Sequence, residues 1–419
     1  MAVKIQARLN AEMFKRVSTN IIIEAVPGQF DTLMAYVGGL GLPTRQTIRR
    51  FNMLSLTAPR QVVDDIATRS TFIKSVYYDA DVSAFGLISN FLQNRAAAAF
   101  PGLFNTSAQP GWVGTDDSRK LVEADIAEAD GITGKGVKVA VLDTGIFQAH
   151  PQFSGKNITA SRANPTELVD SSGHGTWTAS CIVGGQVTTP FGLVAKGVAP
   201  DVELNAVKVL ETPMGTGRDS DIIKGYEIAD QWGAKIISMS LGSDGYAVDN
   251  PHEAPIKELT DKGVIVVVAA GNSGPDPSTV GTPGGSTNVL TVGAVDTKTK
   301  TIAGFSSRGP VVATGGIKPD VVGPGGSNTV SPKENLVSAT APGSTCDMSD
   351  KRPDMYAAIM GTSMATPAVA GTVALAVQYA RDKSGGKELT VADIKAFMAK
   401  GATKDNDYGW GLIRYSLLK

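Results

Sequence analysis

Gly361-Thr362-Ser363-Met364-Ala365-Thr366-Pro367 opens the most telling stretch of this 419-residue chain. Behind it, residues 365–380 are apolar and mostly small, the composition of a buried helix. Pro367 fits a first helical turn, where a missing N–H costs little, and Gly361 lets backbone or a ligand approach closely. A serine at that place sits in the positive field of a helix N-terminus. Ser363 is therefore either an ordinary cap, a role serine favours, or a nucleophile held at the helix mouth. The rest of the chain decides between them.

Upstream, apolar runs alternate with helical segments. Residues 137–142 form a strand ending at Asp143, and strands follow at 204–210, 235–240, 264–270 and 289–295, with a helix over 219–231. Near-continuous apolar strands of this kind predict an α/β fold, with a parallel central sheet and helices on both faces. Such sheets bind ligands beyond the carboxyl ends of their strands. Asp143 and Asn272 both fall just past such ends.

The chain has three histidines, the usual general base near neutral pH. His174 lies in Ser172-Gly173-His174-Gly175-Thr176, where flanking glycines leave the imidazole free of steric neighbours. His150, before Pro151, and His252, after Pro251, read as surface or turn residues. Asp143, at the end of a buried strand, needs a partner to offset its desolvation. An imidazole N–H or its own loop would serve. The Asn272 amide in Gly271-Asn272-Ser273-Gly274-Pro275 could donate to a developing oxyanion, though it is also ordinary turn chemistry.

The N-terminal third differs. Residues 20–85 read as strand (21–26), helix (31–37, stopped by Gly38-Gly39), one alternating strand (47–56), helix (60–68) and a final strand (73–82). That order predicts a small α+β unit of ferredoxin-like type, an antiparallel sheet with two helices on one face. Residues 1–85 carry ten Lys/Arg against seven Asp/Glu, leaving −4 for the remainder. Residues 86–117, with Pro101, Gly102, Pro110 and Gly111, read as a linker or surface arm, and 118–419 as the main domain.

With 42 % hydrophobic and 19 % charged residues and a net charge of −1, the composition is that of a folded globular protein. It gives no reason to expect nucleic acid or a membrane as partner. A monomer is expected. Cys181 and Cys346 cannot form a disulfide framework, and whether they pair is open. The first 20 residues lack an apolar core for a signal peptide. The chain is then either intracellular or the remainder after a removed signal.

Asp143, His174, Asn272 and Ser363 follow the chain order of the subtilisin arrangement. Asp143-Thr144-Gly145, His174-Gly175-Thr176, Gly271-Asn272 and the Ser363 run together resemble the signatures of the subtilisin-like serine proteases, over residues 118–419. The resemblance implies that Ser363 attacks the scissile carbonyl, His174 moves the proton, Asp143 orients His174 and Asn272 receives the oxyanion. It also implies an extracellular protease of broad specificity acting on proteins and peptides. Ser238, Ser240, Leu241 and Gly242 are similar to one substrate-binding strand of the family, and Gly215, Thr216 and Gly217 to the opposite one. Ala270 and Gly271 would wall an S1 pocket suited to an apolar residue. Residues 1–85 read as an N-terminal extension followed, from about Asn20 to Phe85, by a segment that resembles an inhibitory propeptide, which implies an autoprocessing zymogen cut between Phe85 and Gly86, with Val82 at P4. A cut inside residues 86–111 is the alternative.

One departure stands out. Gln152 occupies a position where many family members carry a calcium-binding aspartate, and the loop 184–192 has no carboxylate. A hard cation wants several oxygen ligands, some charged. No metal or other cofactor is expected there, and a calcium site elsewhere stays open. Two other activities compete with hydrolysis. One is acyl transfer to an amine, as in a peptide ligase or transpeptidase; the other is an inactive propeptide-bound scaffold.

Overall fold

Ile21, Ile22 and Ile23 show how the N-terminal unit is built. Successive side chains of a strand point to opposite faces. Ile21 and Ile23 join a core with Leu33, Val37, Val63 and Ile66, whereas Ile22 joins the main core with Ile48, Phe51, Met53 and Tyr77. Both faces of this small sheet are therefore buried, one under its own helices and one against the rest of the molecule. The computed structural model describes residues 4–6, 9, 12–13, 18–85, 110–346 and 355–419.

The unit comprises β1 (Lys4–Ile5), β2 (Ser18–Ala25), α1 (Phe30–Gly39), β3 (Thr44–Ile48), β4 (Met53–Pro59), α2 (Arg60–Ile66) and β5 (Ile73–Tyr78), with strand order β1-β5-β2-β4-β3. All neighbours are antiparallel except β1 and β5. Three sequence expectations need correction. The run 47–56 is not one strand: a 3-10 turn, Arg49–Phe51, breaks it, and Asn52 closes the turn at φ 54. Antiparallel β3 and β4 require the chain to reverse there, and asparagine tolerates the left-handed conformation. Helix α1 runs through Gly38-Gly39 instead of stopping before them. The run 73–82 divides at Asp79-Ala80, so that β6 (Asp81–Ala84) leaves this sheet for a cleft in the main body.

The segment expected as a linker is structured from Trp112 onward, and residues 86–109 of it lie outside the described residues. β7 (Trp112–Gly114) leads to α3 (Thr115–Leu121) and α4 (Ala124–Ala129). Next come β8 (Lys138–Asp143), β9 (Ile158–Arg162), α5 (His174–Val183), the hairpin β10 (Val187–Thr188) and β11 (Val194–Ala195), and β12 (Glu203–Lys208). β13 (Thr216–Arg218), α6 (Asp219–Trp232), β14 (Ile236–Met239), β15 (Leu241–Gly242), α7 (Glu253–Asp261), β16 (Ile265–Ala269), β17 (Leu290–Val295) and β18 (Val321–Pro324) follow. The chain ends through β19 (Asn335–Ala339), β20 (Tyr356–Ile359), α8 (Thr362–Lys383) and α9 (Val391–Met398). β7 pairs with β19, which pairs with β20.

The central sheet has the order β18-β17-β16-β14-β8-β12-β9, and every pair in it is parallel. Such pairing needs crossover connections, which the helices supply. α5 and α8 pack together on one face, and α6 and α7 on the other. β12 lies to one side of β8 and β14 to the other. Strand order thus reverses at β8, where a crevice opens at the carboxyl edge.

The N-terminal unit is docked on α6 and α7 by charge as well as by apolar contact. Arg45 donates to Asp221 (2.6 Å), and Arg50 to Asp230 (2.7 Å) and Glu258 (2.5 Å). Asp79 caps the start of α6, accepting from the Ser220 N–H (3.0 Å) and hydroxyl (2.8 Å). That pull on Asp79 is why β5 and β6 separate. Among the described residues, no helix is long and apolar enough to cross a membrane.

Candidate active site

Asp143 is the last residue of β8, so the sheet itself delivers it to the crevice. The carboxylate is buried and fully partnered. Oδ1 accepts from His174 Nδ1 (2.7 Å) and the Thr144 N–H (2.7 Å), and Oδ2 accepts from the Thr178 hydroxyl (3.2 Å). Three donors offset the loss of water. His174 is the first residue of α5 and follows Gly173, which is left-handed at φ 84. With Nδ1 donating to Asp143, the other nitrogen, Nε2, carries the lone pair, and it is buried without a hydrogen-bond partner. Burial works against a charged imidazole, but the Asp143 carboxylate outweighs it. The His174 pKa is therefore raised above its ordinary 6.5.

Asp170 is part of this construction, although the sequence reading does not single it out. Its Oδ1 accepts from the Thr144 hydroxyl and the Gly173 N–H, each at 2.8 Å. Its Oδ2 accepts from the Thr176 N–H (2.8 Å) and hydroxyl (2.6 Å). The loop before His174 is thereby tied to the end of β8. An aspartate just ahead of a glycine and a helix start, as in Asp170-Ser171-Ser172-Gly173, is a local capping signal that points to it.

Ser363 lies in the first turn of α8, fully buried. Its Oγ is 2.5 Å from the Phe85 carbonyl oxygen and 3.0 Å from that of Ser240. Asn272 follows β16. Its Oδ1 accepts from the Thr362 N–H and hydroxyl, both at 2.9 Å, which fixes the amide so that Nδ2 faces the crevice. Gly361 completes this wall. A Cβ there would sit 3.1 Å from Asn272 Nδ2 and 3.6 Å from the Phe85 oxygen, crowding the space between them.

Strand β6 fills the cleft, antiparallel to β13 on one side and β15 on the other. Ser83 faces Thr216 and Gly242, Val82 faces Gly217, and Ala84 faces Leu241. The Ala84 N–H donates to the Gly215 carbonyl (2.8 Å), and that of Phe85 to Ser240 (3.2 Å). The Phe85 ring enters a slot beside Gly242, Gly271 and Gly281. A Cβ on Gly242 would meet the ring at 2.6 Å, so the slot exists because side chains are absent. Ser238 and Ala270 are not along β6. Ser238 is buried inside β14, and the Ala270 N–H is spent on Val292 in the central sheet. Gly86, the other half of the expected cut, lies outside the described residues.

A sequence profile described as the subtilase family matches residues 134–411. The chain belongs to the subtilase family. It is similar to serine protease AprX of Bacillus subtilis (strain 168), 38 % identical over 309 residues, which are 67 % of this chain and 66 % of AprX. Subtilisin DY of Bacillus licheniformis is 35 % identical over 302 residues, 70 % of this chain and 94 % of that protein. Subtilisin BL of Lederbergia lenta is 38 % identical over 295 residues, again 70 % and 94 %. The chain thus spans just under two thirds of the length of AprX and nearly all of the two subtilisins.

His150 and His252, read as surface or turn residues, do lie in turns but are both buried. His150 Nε2 bonds the Met355 carbonyl (3.0 Å), Nδ1 accepts from the Gln152 N–H (3.1 Å), and burial pushes its pKa down to about 4. His252 sits between Asp219 and Tyr226. In each case the partner that covers the ring comes from a distant element, which a flanking proline does not reveal. Cys181 and Cys346 form no disulfide, and burial pushes the Cys181 thiol up to about 12. At the position discussed for calcium, Gln152 turns its amide N–H to the Gly185 carbonyl (3.3 Å) and the loop offers no carboxylate. Gln152 Oε1 is buried without a hydrogen-bond partner. Among the described residues there is no cluster of three or more His, Cys, Asp or Glu side chains able to hold a metal.

Proposed function

We propose that this subtilase is a serine endopeptidase made as a precursor, and that its first substrate is the bond after its own Phe85. The observation that carries the reading is the Phe85 carbonyl oxygen 2.5 Å from Ser363 Oγ, with the ring in the glycine slot and β6 paired on both sides. Burying that ring contributes about 1.5–3 kcal/mol. Backbone pairing along β6 is indifferent to sequence, which supports broad specificity beyond an apolar P1 residue. As a monomer, the enzyme would then cut protein and peptide chains presented in the same extended form.

The chemistry follows from the groups present. The Ser363 hydroxyl turns from the carbonyl oxygen to His174 Nε2, the unpartnered lone pair, and loses its proton as Oγ attacks the carbonyl carbon. The oxygen becomes an oxyanion beside Asn272 Nδ2 and the Ser363 N–H. His174 then gives its proton to the departing amine of Gly86, leaving an acyl-enzyme that water hydrolyses by the same steps. Asp143 holds the tautomer throughout and stabilises the imidazolium.

The test compares the purified full chain with Ser363→Ala by gel and N-terminal sequencing. The unaltered chain is expected to lose about 85 residues and begin at Gly86, while the variant stays whole. Equal shortening of both, or a new start elsewhere, overturns the reading. Asn272→Ala should slow processing by about 10²–10³, the loss known for the corresponding change in subtilisin itself. A chelator should leave the melting temperature unchanged, since loop 184–192 beside Gln152 has no carboxylate.

A further inference from the structure

The geometry points to Arg218 as a specificity residue that favours an acidic side chain five positions before the scissile bond. The inference rests on the reading that Phe85 occupies the position before the cut.

Counting back from Phe85, Asp81 is the fifth residue, and it pairs in register with Arg218 at the end of β13. Arg218 Nη1 lies 3.1 Å from Asp81 Oδ1. The backbone on both sides of this pair is fixed. The Arg218 N–H donates to Asp221 Oδ2 (3.0 Å), anchoring the start of α6. One residue further on, the Asp219 N–H donates to the Ala80 carbonyl (3.0 Å) and Asp219 Oδ2 accepts from the Ala80 N–H (3.3 Å). That exchange uses only backbone groups of the entering chain. It holds any peptide extended as far as its sixth residue and keeps the fifth side chain over the guanidinium.

Arg218 and Asp219 belong to the main body, so both remain when β6 is replaced by another chain. Arg218 is then an open cation at the end of an edge strand, within reach of an incoming carboxylate. Two factors limit the gain. The Asp81 side chain is 70 % exposed, so water screens the pair. Asp219 and Asp221 also remain nearby and compete for the guanidinium. The expected discrimination is about two- to fivefold, that of an exposed ion pair.

The test uses the full chain after it has processed itself, with internally quenched peptides that share Val-Ser-Ala-Phe before the cut and carry Asp, Ala or Lys ahead of the valine. Values of kcat/KM should fall in the order Asp, Ala, Lys, about two- to fivefold from first to last. Arg218→Glu should reverse that order. In the precursor, R218E should slow self-processing, and Asp81→Lys in the same chain should restore it. Equal kcat/KM for the three peptides, or the same order in R218E, overturns the inference. Failure to cut any of them after phenylalanine would instead overturn the underlying assignment of Phe85.

Discussion

His174 pairs with Asp143 across 2.7 Å and His252 with Asp219 across 3.0 Å, so the described residues hold two buried imidazole–carboxylate pairs. They differ at the second ring nitrogen. His174 Nε2 makes no side-chain hydrogen bond, and the ring lies beside the Phe85 backbone. His252 Nδ1 is met by the Tyr226 hydroxyl at 3.1 Å, with Tyr226 itself fully buried. Burial raises the tyrosine pKa well above its usual value, which keeps the hydroxyl proton in place. One pair leaves a basic lone pair exposed to a reacting group; the other consumes it in the core. A histidine–aspartate contact becomes chemical machinery through what it leaves unsatisfied.

Replacing the open imidazole should have the largest effect. His174→Gln should lower the rate of self-processing by roughly 10⁴–10⁶, the range that loss of a triad member produces in subtilisin itself. Timed gels of freshly refolded chain would measure it, and a loss under tenfold would break the contrast. Asp143→Asn should cost about 10⁴, as the corresponding change does in chymotrypsin-type enzymes, because the imidazole adopts the wrong tautomer. The pH dependence is smaller in amplitude. Asp143 raises the His174 pKa, so below that pKa the ring is protonated and cannot accept a proton. Processing should therefore rise with pH through a midpoint above 6.5. In Asp143→Asn burial is opposed only by the weaker influences of Asp170 and the Phe85 backbone, so the residual rate should have a lower midpoint.

The closed pair should respond in stability. His252→Gln leaves Asp219 and Tyr226 short of a partner and should cost about 1–3 kcal/mol in denaturant unfolding, with far less effect on processing than His174→Gln. A rate loss as large as that of His174→Gln would mean the two pairs are not different in kind. The smallest expected effect is that of Thr178→Val. It removes one of three donors to Asp143, and a loss of about 1 kcal/mol corresponds to roughly fivefold in rate.

The same contrast explains what the sequence reveals. His174 and Asp143 are legible because their signals are local: glycines around a ring, a carboxylate at the end of an apolar strand. The role of His252 depends on Tyr226 and Asp219, 26 and 33 residues away. Its own neighbours, Pro251 and Glu253, suggest only a turn. Arg218 goes unread for the same reason, since it acts through partners that the fold brings to it, whereas Asp170 has local partners, Gly173 and Thr176, that its capping signal marks. The central sheet could be read from continuous apolar runs, because both its faces are buried. In the N-terminal unit the same logic misled: alternation across 47–56 persists through a reversal, and only Asn52 marks the turn.

β6 has a consequence beyond its place in the cleft. It is the middle strand of a three-stranded sheet whose other members, β13 and β15, it pairs with on either side. Lifting it out leaves two facing rows of unpaired N–H and C=O groups, an arrangement that in most proteins invites aggregation. Here any chain that completes the sheet is brought against Ser363. On the proposed function, an edge that would elsewhere need to be blunted could stay open, because a strand that adds to it would be cut before it became a permanent neighbour.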